Sequence, residues 1–487
     1  MTSNHHPQPT LHLLLVCTTI ATLLIALSLT PRPIAQAATT IGDGTPASCS
    51  EAALETALSN GGDITFNCGN EPHTITVSSP KTVAADTTMS LDGGGLITLS
   101  GGDNVRIFAV EQGGTLTLTN LTLTGGNAGE EGGGALHNTG TTTLNQCSLT
   151  SNTANEGGAI MNVNGGTLAV NSSSITGNSA TANGGGIFIN SGTTTVRNST
   201  VSNNTAGASG GGLWYYKWNA NQGGALTIEN STIAHNTAAE LGGGVSSSGG
   251  EGTPQLSLTS TTLAHNQANH SGAIYNGATT TSLTNCTIAH NSVTEYVGGV
   301  FTSSDGVLNM TNTVLANDPD APGGNCAHEG TFNDGGGNIQ FPGTSCGETI
   351  PTADPLLAEM GDNGGATQTM ALGNNSPAID GGVAEGCPAT DQRGEPRPAD
   401  GNNDGDAVCD AGAYELQADE EAPIADNIVG DGTPASCTEA ALRAAVDRSG
   451  TIIFNCGSEP HTIPISDEIL IEQDTTIDGS GGGDTTQ

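Results

Sequence analysis

One phrase recurs along the chain at near-constant intervals: an aliphatic residue, two further positions, then asparagine. It pairs Leu149 with Asn152, Ile175 with Asn178, Val201 with Asn204, Ile233 with Asn236, Leu263 with Asn266, Ile288 with Asn291 and Val314 with Asn317. Successive asparagines lie 26, 26, 32, 30, 25 and 26 residues apart. Just upstream of each is a short alternating run, such as Leu226-Thr227-Ile228-Glu229-Asn230-Ser231-Thr232-Ile233. Alternation of period two marks strands with one buried face. Between the runs stands a second phrase, glycines followed by aliphatic residues, as in Gly157-Gly158-Ala159-Ile160 and Gly184-Gly185-Gly186-Ile187. Glycine supplies the turns and lets neighbouring backbones approach closely. One such repeat has too little apolar surface to fold alone, so the repeats must stack, each strand pairing with the coil above and the coil below.

The predicted fold class is therefore all-β, a right-handed parallel β-helix of about eleven coils over residues 64–345, roughly 50 Å long at strand spacing. Asn152, Asn178, Asn204, Asn236, Asn266, Asn291 and Asn317 are predicted to form a buried structural ladder, each bond contributing on the order of 1 kcal/mol. Cys147 and Cys286 fall where other coils carry Ser199 and Ser231. About five coils, on the order of 24 Å, separate them. A disulfide cannot span that distance, and both read as small buried hydrophobes.

Composition removes whole classes of function. The formal net charge is −39 with only nine Lys and Arg, and nucleic-acid affinity comes mostly from cations neutralising phosphates. No nucleic-acid partner is expected. Apolar residues 11–29 precede Ala35-Gln36-Ala37, which reads as a secretory signal over residues 1–37. No Lys or Arg precedes Leu11, so an uncleaved membrane anchor stays open as the alternative. No other segment is apolar and long enough to span a membrane. Cys17 follows Val16 rather than a small residue, which argues against lipidation. In an exported chain the remaining cysteines are candidates for disulfides. Pairing by proximity suggests Cys49 with Cys68, Cys326 with Cys346, Cys387 with Cys409 and Cys437 with Cys456, a hypothesis because sequence does not determine connectivity.

The paired phrases, Gly-Gly-Ala-Ile and aliphatic-x-x-Asn, resemble the repeats of polymorphic outer-membrane proteins and the wider pectate-lyase-like β-helices. Downstream, Ala353-Asp354-Pro355-Leu356-Leu357, Asp362-Asn363-Gly364-Gly365-Ala366-Thr367-Gln368-Thr369, Ser376-Pro377-Ala378-Ile379-Asp380, Asp391-Gln392-Arg393-Gly394 and Gly412-Ala413-Tyr414-Glu415 are similar to the choice-of-anchor Q domain. That resemblance implies a bacterial surface or secreted β-helix and carries no catalytic residues. Ser48-Cys49-Ser50-Glu51 has capping-box spacing before a helix-forming stretch, which predicts a short helix closing the first coil. Gly430-Asp431-Gly432-Thr433-Pro434-Ala435-Ser436-Cys437 repeats residues 42–49, so the cap is duplicated. The expected organisation is a signal (1–37), a capped β-helix (38–350), a choice-of-anchor Q-like region (351–416), an acidic linker (417–428) and the start of a second β-helix (429–487).

Four groups invite a chemical reading. Trp214-Tyr215-Tyr216-Lys217-Trp218 holds both tryptophans of the chain and sits in the longest repeat. Such rings stack on sugars or anchor protein partners, or else shield the flank of the solenoid. Asp400, Asn402, Asp404 and Asp406 alternate oxygen ligands as in a calcium loop, but Ala411 stands where a bidentate Glu is needed. Calcium is the one cofactor the sequence suggests, against a plain acidic turn. His235, His265 and His290 share one register and invite a transition metal, although repetition alone also produces such a column. The only cations over residues 42–345 are Lys81, Arg106, Arg197 and Lys217, and none belongs to a lyase motif. The reading is a secreted or cell-surface scaffold or adhesin that presents loops to an extracellular glycan or surface protein. A polysaccharide-active lyase or hydrolase is the alternative.

Overall fold

In a computed structural model, residues 38–217, 224–249, 254–317, 321–402 and 404–418 are described, together with 427–429, 434, 436–448, 450–454, 456, 461–471 and 475–478 of the C-terminal segment. The signal reading and most of the acidic linker lie outside these residues.

The chain winds into a parallel β-solenoid of about eleven turns. One coil shows the pattern. Ile160–Val163 lies in a ten-stranded sheet, Thr167–Asn171 and Ser174–Thr176 lie on two arms of a 21-stranded sheet, and Ser179–Ala180 lies in a six-stranded sheet. Each strand pairs in parallel with its counterpart one repeat later: Ile160 with Ile187, Leu168 with Thr194, Ser174 with Thr200 and Ser179 with Thr205. Inward positions stack into one continuous core that runs through Leu168, Val196, Ile228, Leu258 and Leu283. The glycine phrase makes the turn before each strand of the ten-stranded sheet. Gly184 has φ +66°, and a Cβ on Gly185 would lie 2.3 Å from the carbonyl oxygen of Gly211. Glycine is thus required both by backbone shape and by the neighbouring coil.

The asparagine ladder is present as expected. Each rung's Oδ1 accepts from the backbone N–H and side-chain amide of the rung before it, as Asn178 does from Asn152, both at 3.0 Å. From Asn152 to Asn291 each amide also donates to a carbonyl of an adjoining coil, as Asn178 does to Leu149 at 3.0 Å. The run continues through Asn317 to Asn325, a rung only eight residues further on. Cys147 and Cys286 are free and buried, in a column of hydroxyls at Ser173, Ser199, Ser231 and Thr313 that bond from coil to coil. Burial pushes their thiols up to about 11 and about 12 respectively, so both stay protonated and inert at neutral pH.

All four cysteine pairs form disulfides, as an oxidising, extracellular compartment permits. Helix α1 (Glu51–Asn60) packs Leu54 and Ala57 on the first coil. Its capping differs from the expectation. The N-cap is Ser50, whose side chain accepts from Ala53 N, and Ser48 instead bonds Asp43 and Thr45. Glu51 is drawn away from any capping box by Ser78 N and Lys81 Nζ, both at 2.6 Å. The duplicate repeats this device. In helix α2 (Glu439–Arg448), Glu439 accepts from Ser466 N and Arg443. His461 reaches Cys437 O as His73 reaches Cys49 O.

Residues 351–416 form an arm that lies back along the solenoid. Gln392 bridges Thr232 and Thr262 of adjacent coils at 2.9 and 2.7 Å. Ala413 N donates to Thr287 in the next coil at 3.0 Å. Beside this threonine column runs a column of alanines, Ala264 and Ala289 among them, against which Met370 packs. The Asp391-Gln392-Arg393-Gly394 and Gly412-Ala413-Tyr414-Glu415 phrases meet in one buried network. Asp391 holds Arg393 at 2.8 Å, Glu415 holds Arg397 at 3.0 Å, and the Arg393 guanidinium lies 3.7 Å from the centre of the Tyr414 ring. These phrases therefore fasten the arm.

Candidate functional site

Because side chains alternate across a strand, Leu213–Lys217 divides its aromatics between two faces. Trp214 and Tyr216 point out of the ten-stranded sheet and are half-buried, whereas Tyr215 points into the core and is fully buried. Tyr215 therefore leaves the ligand-facing set proposed from sequence. Trp218 lies outside the described residues. The outward rings stack: Phe188 on Trp214 at 4.6 Å between ring centres, and Trp214 on Tyr216 at 5.3 Å.

The sheet register extends this pair into a stripe. Met161 pairs with Phe188, Phe188 with Trp214, Trp214 with Ser246, Ser246 with Tyr275, and Tyr275 with Phe301. Two aromatic patches thus occupy one outward column. They are separated by the small Ser246 and stand two coils, roughly 10 Å, apart. In the second patch Tyr275 stacks on Phe301 at 5.2 Å, and its ring lies against Gly277, leaving no room for a side chain there. His270 stacks on Tyr296 at 4.5 Å and meets Phe301 edge-on at 4.7 Å. Burial lowers the pKa of His270, against the pull of Glu329 and Glu295, which keeps the imidazole neutral at pH 7. Tyr296 is 39% exposed and forms the open edge of the patch. Beyond the run at residues 214–218, the sequence shows these aromatics only one or two per coil. Their shared offset from the glycine phrase is the signal that unites them.

Three of the four cations over residues 42–345 are held in ion pairs: Lys81 with Glu51 and Glu55, Arg106 with Glu131, and Arg197 with Glu229. Lys217 closes the aromatic strand. The charges facing the second patch, Glu295 and Glu329, are acidic. The stripe is therefore an aromatic surface with one cation, Lys217, at the end of its first patch and two carboxylates at its second.

The three histidines stack in a column rather than converge. His235, His265 and His290 stack at 4.8 and 5.3 Å with rings 3° and 13° from parallel. Rings stacked in parallel planes do not converge on one point as tetrahedral ligation requires. In the acidic loop, Asp400 Oδ1 and Oδ2 accept from the backbone N–H groups of Asp404 and Gly405, both at 3.0 Å. Asn402 and Asp404 likewise accept from Asp404 N and Asp406 N. Among the described residues, no group of three or more His, Cys, Asp or Glu is arranged to hold a metal ion.

No family model matches the chain, and no curated protein matches its sequence. Among solved structures, the chain is similar in fold to an arginine-to-alanine mutant of the PL6 family alginate lyase AlyGC. The identity is 12% and the TM-score 0.36, with 85% of this chain covered. The chain spans about 64% of that protein's length.

Proposed function

We propose that this is a secreted or cell-surface scaffold that binds glycan along the aromatic stripe of its ten-stranded sheet. The carrying observation is the alignment of Trp214 and Tyr216 with Tyr275 and Phe301 in one outward face. Flat rings complement the C–H faces of sugar rings, and a separation of two coils suits a linear oligosaccharide that touches both patches. A net charge of −39 and the carboxylates of Glu295 and Glu329 disfavour uronates. The ligand class is therefore a neutral glycan. The resemblance of residues 351–416 to a choice-of-anchor Q domain supports display at a bacterial surface. Four disulfides accord with an extracellular location, and among the described residues no helix is long and apolar enough to cross a membrane.

Both tryptophans lie within residues 214–218, so intrinsic fluorescence reports this site alone. Titration with neutral oligosaccharides is expected to give a saturable shift, with a weaker response or none from uronate oligomers. Tyr275→Ala should weaken binding at least tenfold while leaving the melting curve in place. Silence with every glycan, or unchanged affinity in Tyr275→Ala, overturns the reading. Release of new reducing or unsaturated ends would turn it into an enzyme of the polysaccharide-active class.

A further inference from the structure

The 21-stranded sheet bends sharply once per coil, at a residue with positive φ. In chain order these residues are Asn120, Gln146, Ser172, Asn198, Asn230, Ser260, Asn285 and Asn312, with φ from 45° to 53°. Two residues after the bend comes an outward hydroxyl: Thr122, Ser148, Ser174, Thr200, Thr232, Thr262 and Thr287, all in register. The result is a polar inside corner that runs the length of the solenoid.

In the later coils the arm fills this corner, and the contacts show what the corner recognises. Thr232 donates to the carbonyl of Gln368. Asn285 donates to Asp410 O at 3.0 Å, and Asn312 both donates to Val383 O at 2.9 Å and accepts from Val383 N at 2.7 Å. Gln392 supplies the side-chain amide between two threonines. The corner thus binds main-chain carbonyls, the main-chain N–H groups of Val383 and Ala413, and a primary amide. Ser260, Asn285 and Asn312 are fully buried by it.

In the earlier coils the same groups stand open. Gln146, Ser172 and Asn198 are exposed. With Asn120, Thr122, Ser148, Ser174 and Thr200 they line a cavity of about 370 Å³, and Ala366 of the arm stands at its end. Every lining side chain is uncharged.

We propose that this open stretch is a second polypeptide-binding groove, continuous with the arm's own track, which takes an uncharged extended segment of another protein. The occupant is a peptide because the continuation of the same ladder holds one through backbone groups. It is uncharged because every lining side chain is uncharged and the whole molecule repels acidic chains. The proposal uses none of the residues of the aromatic stripe.

The probe is a fluorescein-labelled Gly-Ala-Thr-Gln-Thr-Met-Ala peptide, the sequence of residues 365–371, added to the full-length protein. Saturable anisotropy is expected. The double variant Ser148→Tyr with Ser174→Tyr fills the corner and should weaken binding at least tenfold. Thr143→Tyr, outward on the flat strand of the same coil, should leave it unchanged. Circular dichroism and melting curves of both variants establish that the fold is intact, and if the double variant unfolds, Ser174→Tyr alone carries the test. Absence of saturable binding overturns the proposal, as does equal binding by the filled variant. Displacement of the peptide by a tighter-binding neutral oligosaccharide also overturns it, assigning the groove to sugar.

Discussion

Gln392→Ala should release the arm from the solenoid. The Gln392 amide is buried and has four hydrogen-bond contacts: to Thr262 at 2.7 Å, to Thr232 and Thr367 at 2.9 Å, and to Gln368 O at 3.0 Å. Thr232 and Thr262 are themselves buried, so water does not readily replace the lost partner. Two amide hydrogens shared among three acceptors, with the bond accepted from Thr262, amount to three hydrogen bonds at about 1 kcal/mol each, a loss of about 3 kcal/mol. The solenoid core is untouched, so the loss falls on local opening of the arm rather than on global unfolding. About 3 kcal/mol corresponds to roughly a hundredfold rise in the open population, and proteolysis follows that population when closing is fast. The assay is therefore the rate of cleavage within residues 351–416 under native conditions, with the melting curve of the solenoid as control. Gln392→Glu should be worse than Ala, since it removes both amide donors and buries a charge beside hydroxyl oxygens. A change of less than threefold in either variant would refute the clamp. Faster cleavage by Ala than by Glu would show that volume, not hydrogen bonding, holds the arm.

The arm's ionic network predicts a pH dependence. Asp391, Asp410 and Glu415 are buried beside only two guanidiniums, Arg393 and Arg397. Burial first, then the neighbouring Glu415 carboxylate, pushes Asp410 up to about 8. The unfolded chain holds fewer protons than the folded one between about pH 4 and 8, so the arm should loosen as pH rises through that window. Faster native-state proteolysis of the arm at pH 9 than at pH 6, with the difference reduced by Asp410→Asn, is the expected result. In the ladder, Asn236→Ala leaves Asn204 N–H and Val201 O without their buried partners. The cost is about 2 to 6 kcal/mol, read as lost hydrogen-exchange protection centred on Asn204.

What the sequence discloses is what repetition makes visible. The asparagine column and the paired cysteines each follow from a period or a proximity, and the structure contains both. Features that depend on which coil sits next to which were hidden. Tyr275 and Phe301 join Trp214 only through the parallel register, with Ser246 interrupting the column. Asn325 completes the ladder eight residues after Asn317, a break in the period that no spacing argument anticipates. The Ser48 and Glu51 spacing misled for a related reason. Lys81 and Ser78, about 30 residues away, compete for the Glu51 carboxylate and win it.

The acidic loop and the corner threonines show the limit from the other side. The alternating oxygens at Asp400, Asn402 and Asp404 order their own turn by accepting from the loop's N–H groups. Thr232, Thr262 and Thr287 look like ordinary strand filler, yet two of them bind Gln392 and the third Ala413 N. A polar side chain becomes a binding group only when its hydrogen-bond capacity is not consumed locally. On a solenoid that condition is set by the outer face. Strand hydroxyls point away from a backbone already saturated by the coils on either side, so they stay available to whatever lies across them. The same saturation leaves Trp214 and Tyr216 half-buried on the outer face rather than in the core. Recognition on this molecule should therefore be sought at outward strand positions that share a register.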